Sequence, residues 1–180
     1  MKKGGAGVSN TLTGLHFEGG VDLQKLLENI PGYSLLKVAG KAGISVVFKG
    51  KLVARCFKKH EFLEFLDVSH VDWRNLLSGK LLPEDVMLVI VRKTLFVVEA
   101  IYQQAAGSVD DELQSCDFRR KQYLKLVAPL GLKVEYVYVL NDWFKKPEYK
   151  DVLDYIHSMN CHYKFNELPL AWLGLPAPKN

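Results

Sequence analysis

Two runs of apolar residues stand out between positions 85 and 102. The first reads DVMLVIV and the second reads TLFVVEAIY, and both are rich in Val, Ile and Leu. Such continuous runs are typical of strands that are buried on both faces of a sheet. The charged pair Arg92-Lys93 separates them, so the pattern predicts two antiparallel strands joined by a tight turn.

Shorter patterns on either side predict further strands and helices. KVEYVYVL alternates apolar and polar residues as a strand does, whereas ELQSCDFRRKQYLKLV has helical spacing and ends before Pro129. The other predicted strands are YSLLKVA, GISVVFKG, KLVARCF and CHYKFN. The other predicted helices are residues 15–29, interrupted at Gly19-Gly20 and so either one helix or two, KKHEFLEFLDV, a turn followed by a helix in NDWFKKPEYKDVLDYIHSM, and a closing helix or turn in ELPLAWLGL. This order predicts an α/β sandwich around a central mixed sheet.

Composition bounds the number of domains and the expected surroundings of the chain. With 180 residues, 48% of them apolar, the chain can close one substantial core. We expect residues 1–13 to form a flexible basic arm and residues 14–180 to form a single domain. No apolar run approaches the roughly 20 residues of a membrane span. The first residues lack the apolar core of a secretory signal and the three cysteines form no close pair, so we expect a cytoplasmic protein with free thiols.

Two acidic residues occupy positions that the strand pattern would place at the rim of the sheet. Glu99 interrupts an apolar strand and Asp85 begins the neighbouring one. A turn centred near Arg92-Lys93 would bring position 85 opposite position 99 or 100, so the two acids would be neighbours. Like charges this close are costly, and a shared Mg²⁺ ion, which binds one or two carboxylates and keeps several waters, would relieve the conflict. The alternative is a pair of ordinary acids at strand ends, solvated or paired with lysine.

Longer strings around these acids resemble a known superfamily. Pro83-x-Asp85 followed by a strand that ends in Glu99 resembles the PD-(D/E)XK nucleases, and VVEAIYQQAAGSVDDELQSCDFRRKQYLKLV resembles a branch of type II restriction endonucleases. Two further segments, GGAGVSNTLTGLHFE and YVYVLNDWFKKPEYKDVLDYI, are similar to the same group. The resemblance implies a restriction-endonuclease-like three-layer sandwich, in which helices flank a central mixed β-sheet.

The resemblance also implies a site. Asp85 and Glu99 match the paired metal ligands, and the main-chain carbonyl of Ala100 would complete one Mg²⁺ site, in which Mn²⁺ can substitute. Glu18 matches a helix acid that many members add to the metal site, and Glu112 matches a downstream acid of some nicking relatives. An acid early in a helix is equally explained by the helix dipole, which leaves both readings open for Glu18 and Glu112. The implied reaction is hydrolysis of a DNA phosphodiester that leaves a 5′-phosphate.

One position departs from the superfamily pattern. The motif has lysine two residues after the glutamate, where its ammonium group steadies the developing charge, and this chain has Ile101. Three interpretations follow: Gln103 orients the water instead, a lysine of the next helix such as Lys121 reaches in, or the site is catalytically degenerate. In the last case the chain would be a DNA- or protein-binding subunit.

DNA binding requires cations near the same rim. Arg120, Lys121 and Lys125 on the long helix, with Lys2, Lys3, Lys58 and Lys59 elsewhere, are candidates to neutralise backbone phosphates, although a solvated basic helix face explains the helix residues as well. The expected partner is double-stranded DNA. The chain shows no recognisable sequence-reading module, so we expect either a homodimer or, given the small size, a cleavage subunit that cuts one strand beside a larger specificity subunit.

Overall fold

The computed structural model describes residues 13–18, 22–104 and 109–178 of the chain. Its strands are β1 (Gly14–His16), β2 (Tyr33–Leu36), β3 (Ile44–Phe48), β4 (Lys51–Phe57), β5 (Asp85–Val89), β6 (Thr94–Ile101), β7 (Lys133–Leu140), β8 (His162–Phe165) and β9 (Glu167–Pro169). Its α-helices are α1 (Leu23–Glu28), α2 (His60–Val68), α3 (Trp73–Leu76), α4 (Val109–Leu113), α5 (Cys116–Val127), α6 (Lys150–Ser158) and α7 (Leu170–Leu173). Short 3₁₀ turns span Ala128–Leu130, Asp142–Lys145 and Pro147–Tyr149. Residues 1–12, which include Lys3 and nearly all of the expected basic arm, lie outside the described residues.

A seven-stranded mixed sheet runs through the middle of the protein in the order β2-β3-β4-β5-β6-β7-β8. The first five strands pair antiparallel, whereas β7 lies parallel to both β6 and β8. Parallel neighbours need a crossover connection, and α4 and α5 supply one while α6 supplies the other. The strand β6 is therefore central, with β5 on one side and the parallel half of the sheet on the other.

Helices cover both faces of the sheet because the buried strands send alternate side chains into two apolar cores. The core on one face joins Val86, Leu95 and Val97 to apolar residues of α2, α5 and α6. The core on the other face joins Met87 and Val98 to residues of α1, α7, β1 and β9. The protein is thus an α/β fold with a mixed central sheet flanked by helices, as the sequence predicted, and the arrangement is compatible with a three-layer sandwich. We call these two surfaces the α5 face and the α1 face.

The structure confirms most predicted elements and corrects three of them. The hairpin of β5 and β6 and the meander of β2, β3 and β4 are present. The prediction of helix over residues 15–29 was wrong at its start, because Gly14–His16 forms β1 and pairs with β9. Leu15 and Phe17, which are two residues apart and both buried, fit a strand as well as a helix. The long helix is divided into α4 and α5, and the closing segment begins as β9 before it becomes α7.

No helix within the described part of the chain is long and apolar enough to cross a membrane.

Candidate functional site

A cleft opens at the rim of the sheet where β5 begins and β6 continues. Asp85 is the first residue of β5 and pairs with Val98, so the last three residues of β6, from Glu99 to Ile101, have no partner in β5. The chain before Asp85 follows β4 instead, because the Lys59 amide donates to the Pro83 carbonyl at 2.8 Å. The gap between these two paths forms a cleft of about 870 Å³.

Charged side chains of both signs line this cleft. The acids are Asp22, Glu84, Asp85, Glu99 and Glu112, and the cations are Lys58, Lys59 and Arg119. Ala100 and Tyr102 also line it. The sequence-predicted metal ligands Asp85, Glu99, Ala100 and the candidate Glu112 therefore border one cavity.

The register of the hairpin differs from the predicted one by a residue. Asp85 lies opposite Val98, and position 99 or 100 had been expected there. The reason is the turn: Val89 pairs with Thr94, so the turn is centred between residues 91 and 92, and Lys93 takes a left-handed conformation with φ of 48°. A shift of one residue moves a strand side chain to the other face of the sheet.

The two acids consequently leave the sheet on opposite faces. Asp85 accepts a hydrogen bond from the Leu23 amide on the α1 face, at 3.3 Å. Glu99 contacts Arg119 of α5, whose Nη1 atom lies 3.0 Å from each carboxylate oxygen. The expectation that the acids are directly opposed neighbours is wrong. They border the same cleft, but each has its own partner.

Asp85 sits in a partly desolvated place. Burial raises the pKa of its carboxyl group to about 6, while the Leu23 hydrogen bond and the nearby charge of Lys58 oppose the rise. An ionised carboxylate held away from water is stabilised by an additional cation. Burial therefore disfavours the ionised form of Asp85, and a further cation nearby would favour it.

Glu99 already has a cation. Only 11% of its side chain is exposed, and Arg119 contacts it and also lies 3.6 Å from Glu112. Burial alone would lower the pKa of Arg119, but Glu99 and Tyr136 raise it above its usual value. The Arg119 guanidinium thus compensates both acids on the α5 face, and a metal ion at Glu99 would have to displace it.

Ile101 and Gln103 do not supply the missing ammonium group or a water-orienting group in the cleft. Ile101 is 8% exposed and belongs to the core of the α5 face. Gln103 is buried beyond the end of β6, where its backbone bonds to the Asn141 side chain in both directions, at 3.3 and 2.8 Å. Because Gln103 is not among the residues that line the cleft, its predicted catalytic role is not supported by its position.

Glu18 lies beside the cleft without lining it. It follows β1, not a helix as predicted, and it is exposed. Burial raises the pKa of Tyr102 to about 12, and the negative charge of Glu18 contributes to the rise. That hydroxyl donates to the Phe17 carbonyl.

Of the basic residues of α5, Arg119 lines the cleft, whereas Arg120, Lys121 and Lys125 do not. Lys121 pairs with Asp117 one turn earlier, at 2.7 Å, and does not line the cleft, so it does not replace the motif lysine. Arg120 is half-buried and close enough to Cys161 to affect its pKa. Lys125 is exposed in the last turn of the helix. These three residues remain candidates for phosphate contacts outside the cleft.

Among residues 13–18, 22–104 and 109–178, no three or more His, Cys, Asp or Glu side chains are grouped so that they could hold a metal ion. Any Mg²⁺ site in the cleft would therefore rest on one or two carboxylates and water, which is a common arrangement for this ion.

Sequence reasoning missed the Glu99–Arg119 pair, because it depends on how α5 packs across β6. The register of the β5–β6 hairpin could have been predicted only from the conformation of its turn.

Comparison of the chain with protein-family models, curated proteins and solved structures finds no match.

Proposed function

We propose that the protein is a divalent-cation-dependent DNA endonuclease whose cation binds at Asp85. The observation that carries this proposal is the position of Asp85: a desolvated carboxyl group with a raised pKa, at the mouth of a cleft that Lys58 and Arg119 also line. The acidic Asp85 is complementary in charge to a cation, and the basic Lys58 and Arg119 are complementary to a phosphodiester. The restriction-endonuclease-like form of the α/β sandwich, implied by the resemblance of the sequence, is part of the same proposal.

The proposal assigns the cation to Asp85 and not to a site shared with Glu99. Asp85 lies on the α1 face, where burial raises its pKa and it borders the cleft, whereas Glu99 lies on the α5 face with Arg119 already beside it. Mg²⁺ can bind through a single carboxylate when waters and substrate phosphate oxygens complete its shell. Mn²⁺ takes similar oxygen ligands and is expected to substitute.

Asp85 and Arg119 each have a part in the proposed reaction. Asp85 would hold the Mg²⁺ ion, which when bound would supply Lewis-acid stabilisation of the phosphate and would lower the pKa of a water molecule. Asp85 fixes the position of the cation, and the partly desolvated surroundings strengthen the electrostatic interactions of the cation. Arg119 presents a guanidinium to the α5 side of the cleft, where it can bind a neighbouring phosphate while Glu99 and Glu112 hold it in place.

Cleavage of plasmid DNA and of short duplexes tests the function. We expect cutting that requires Mg²⁺ or Mn²⁺ and yields 5′-phosphate ends, and we expect Asp85→Asn to abolish it. Glu84→Gln is the matched control, because Glu84 is an exposed acid that lines the same cleft next to Asp85. Equal cutting by wild type and Asp85→Asn would refute the proposal.

The expected partners are double-stranded DNA and either a larger sequence-reading subunit or a second copy of this chain. The small size of the chain favours the larger subunit. Gel filtration of the chain with and without duplex DNA distinguishes the two: a homodimer on a palindromic site doubles the mass, whereas a cleavage subunit stays monomeric until its partner is added. The cleavage assay should therefore also be run with candidate partner subunits.

A second candidate function is a non-catalytic DNA- or protein-binding subunit. The observation that favours it is the state of the α5 face, where Ile101 is buried at the motif lysine position and Arg119 neutralises Glu99. A protein of this kind leaves DNA intact with every divalent cation, and its thermal stability does not change when Mg²⁺ is added.

A further inference from the structure

The cleft contains a lysine that the strand register places next to Asp85. Phe57, the last residue of β4, pairs with Val86 of β5, so the following residue, Lys58, comes opposite Asp85. Residues opposed across antiparallel strands point to the same face of the sheet. Lys58 therefore belongs to the α1 face, which is the face of Asp85 and not that of Glu99.

The backbone around Lys58 is fixed on both sides. The Lys58 amide donates to the Glu61 carboxylate at 3.1 Å, and the next amide donates to the Pro83 carbonyl at 2.8 Å. These contacts connect the end of β4 to the start of α2 and to the residues before Asp85. The stem of Lys58 thus starts from a defined point at the edge of the cleft.

The ammonium group of Lys58 is also held. Its Nζ atom lies 2.9 Å from Asp22 Oδ2, and the side chain is about one-third exposed, at 33%. Asp22 is itself fixed, because its other oxygen accepts from the Lys25 amide at 2.9 Å at the start of α1. A lysine ammonium has three donors, so Lys58 can keep Asp22 and still donate to a ligand in the cleft.

Arg119, another cation of the cleft, is held on the opposite face. Arg119 lies between Glu99 and Glu112 on the α5 face. The position that carries lysine in the resembled motif is Ile101, a core residue of that same face. Positive charge next to Asp85 consequently comes from β4 and not from β6.

We infer that Lys58 binds the phosphodiester on the Asp85 side of the cleft and steadies the charge that develops on it. This inference rests on the proposed nuclease function and assigns one residue of the same site. During hydrolysis the oxygen of water bonds to phosphorus as the bond to the 3′ oxygen breaks; the water loses a proton and the 3′ oxygen gains one. Lys58 donates a hydrogen bond to a non-bridging oxygen, where negative charge accumulates.

Substitution of Lys58 separates this role from a general contact with DNA. We expect Lys58→Met to lower the cleavage rate at saturating DNA by about 100-fold. We expect Lys58→Arg to recover part of that rate, because charge is kept while the donor geometry changes. Lys150→Met, at an exposed lysine that pairs with Asp154, should leave the saturated rate unchanged within about 3-fold.

Duplex binding in EDTA gives a measurement that does not depend on cleavage. A lost phosphate contact reduces the slope of log affinity against log salt by about 1, so we expect that reduction for Lys58→Met and the wild-type slope for Lys58→Arg. Lys150→Met removes a lysine whose partner is Asp154 on α6 and serves as the neutral control. Circular dichroism and urea unfolding of each variant test whether the fold is retained.

The outcomes are distinct. A saturated cleavage rate for Lys58→Met equal to that of wild type overturns the inference. If the wild-type protein cuts no DNA, the proposed function fails, and the salt slope alone then decides Lys58: an unchanged slope for Lys58→Met overturns its role as a phosphate ligand, and a reduced slope retains it.

Discussion

Arg119 forms a two-oxygen contact with Glu99, its Nη1 atom lying 3.0 Å from both carboxylate oxygens at the buried end of β6. The carboxylate is largely removed from water, so the guanidinium is its main compensation. We expect Arg119→Ala to reduce the free energy of unfolding by about 2 kcal/mol, less than for a fully buried pair because Arg119 is partly exposed. Urea unfolding measures the loss.

Arg74→Ala is the matched control for this substitution. Arg74 also contacts both oxygens of an acid, Asp67, at 2.9 and 3.4 Å, but that pair is exposed. Solvent screens exposed pairs, so its loss should be clearly smaller. Equal losses for the two variants would show that burial of Glu99 does not govern the contact.

The hairpin shows how far sequence patterns carry and where they end. The apolar runs predicted β5 and β6 correctly, because strands buried on both faces need apolar residues throughout. The register depended on the turn, where Lys93 takes a left-handed conformation that the residue types there do not specify. The one-residue shift moved Asp85 away from Glu99 and towards Leu23.

Contacts between distant segments were the other part that the sequence could not provide. Glu99 and Arg119 are 20 residues apart, and their meeting depends on the crossing of α5 over β6. The position of Lys58 opposite Asp85 likewise depends on the pairing between β4 and β5. By contrast, Asp85 itself was found from its place at the start of a buried strand.

The pH dependence of stability tests the environment of Asp85. Burial raises the pKa of this carboxyl group to about 6, so between the unfolded value and about 6 the folded protein binds more protons than the unfolded chain. This contribution to stability is therefore present at low pH and is lost as the pH rises through about 6. A shift of about 2 pKa units corresponds to at most about 3 kcal/mol.

Asp85→Asn removes this ionisation. We expect the variant to gain about 1–3 kcal/mol relative to wild type at about pH 7.5 and much less at about pH 4.5, measured by urea unfolding at both values. Glu84→Gln, at the exposed neighbouring acid, should show no such difference. A gain for Asp85→Asn that is the same at both pH values would contradict the raised pKa.

Introducing the motif lysine at position 101 should not increase the rate of DNA cleavage. Ile101 packs in the core of the α5 face and also borders the cleft, so Ile101→Lys removes an apolar core contact and places an ammonium group on the face opposite Asp85. We expect a loss of about 3 kcal/mol in the free energy of unfolding and no increase in DNA cleavage.

Ile101→Met is the control, since it keeps an apolar side chain of similar volume and should cost less than about 1.5 kcal/mol. Faster cleavage by Ile101→Lys than by wild type would mean that catalysis takes place on the α5 face, next to Glu99. It would then be Glu99, and not Asp85, that organises the site.

Titration of the protein with Mn²⁺, followed by electron paramagnetic resonance at about pH 7.5, tests most directly whether a divalent cation binds at Asp85. We predict one Mn²⁺ site in wild type, from which Mg²⁺ displaces the ion. The same site should be present in Glu84→Gln and Glu99→Gln and lost in Asp85→Asn. Undiminished Mn²⁺ binding by Asp85→Asn, or loss of binding in Glu99→Gln alone, would contradict the account.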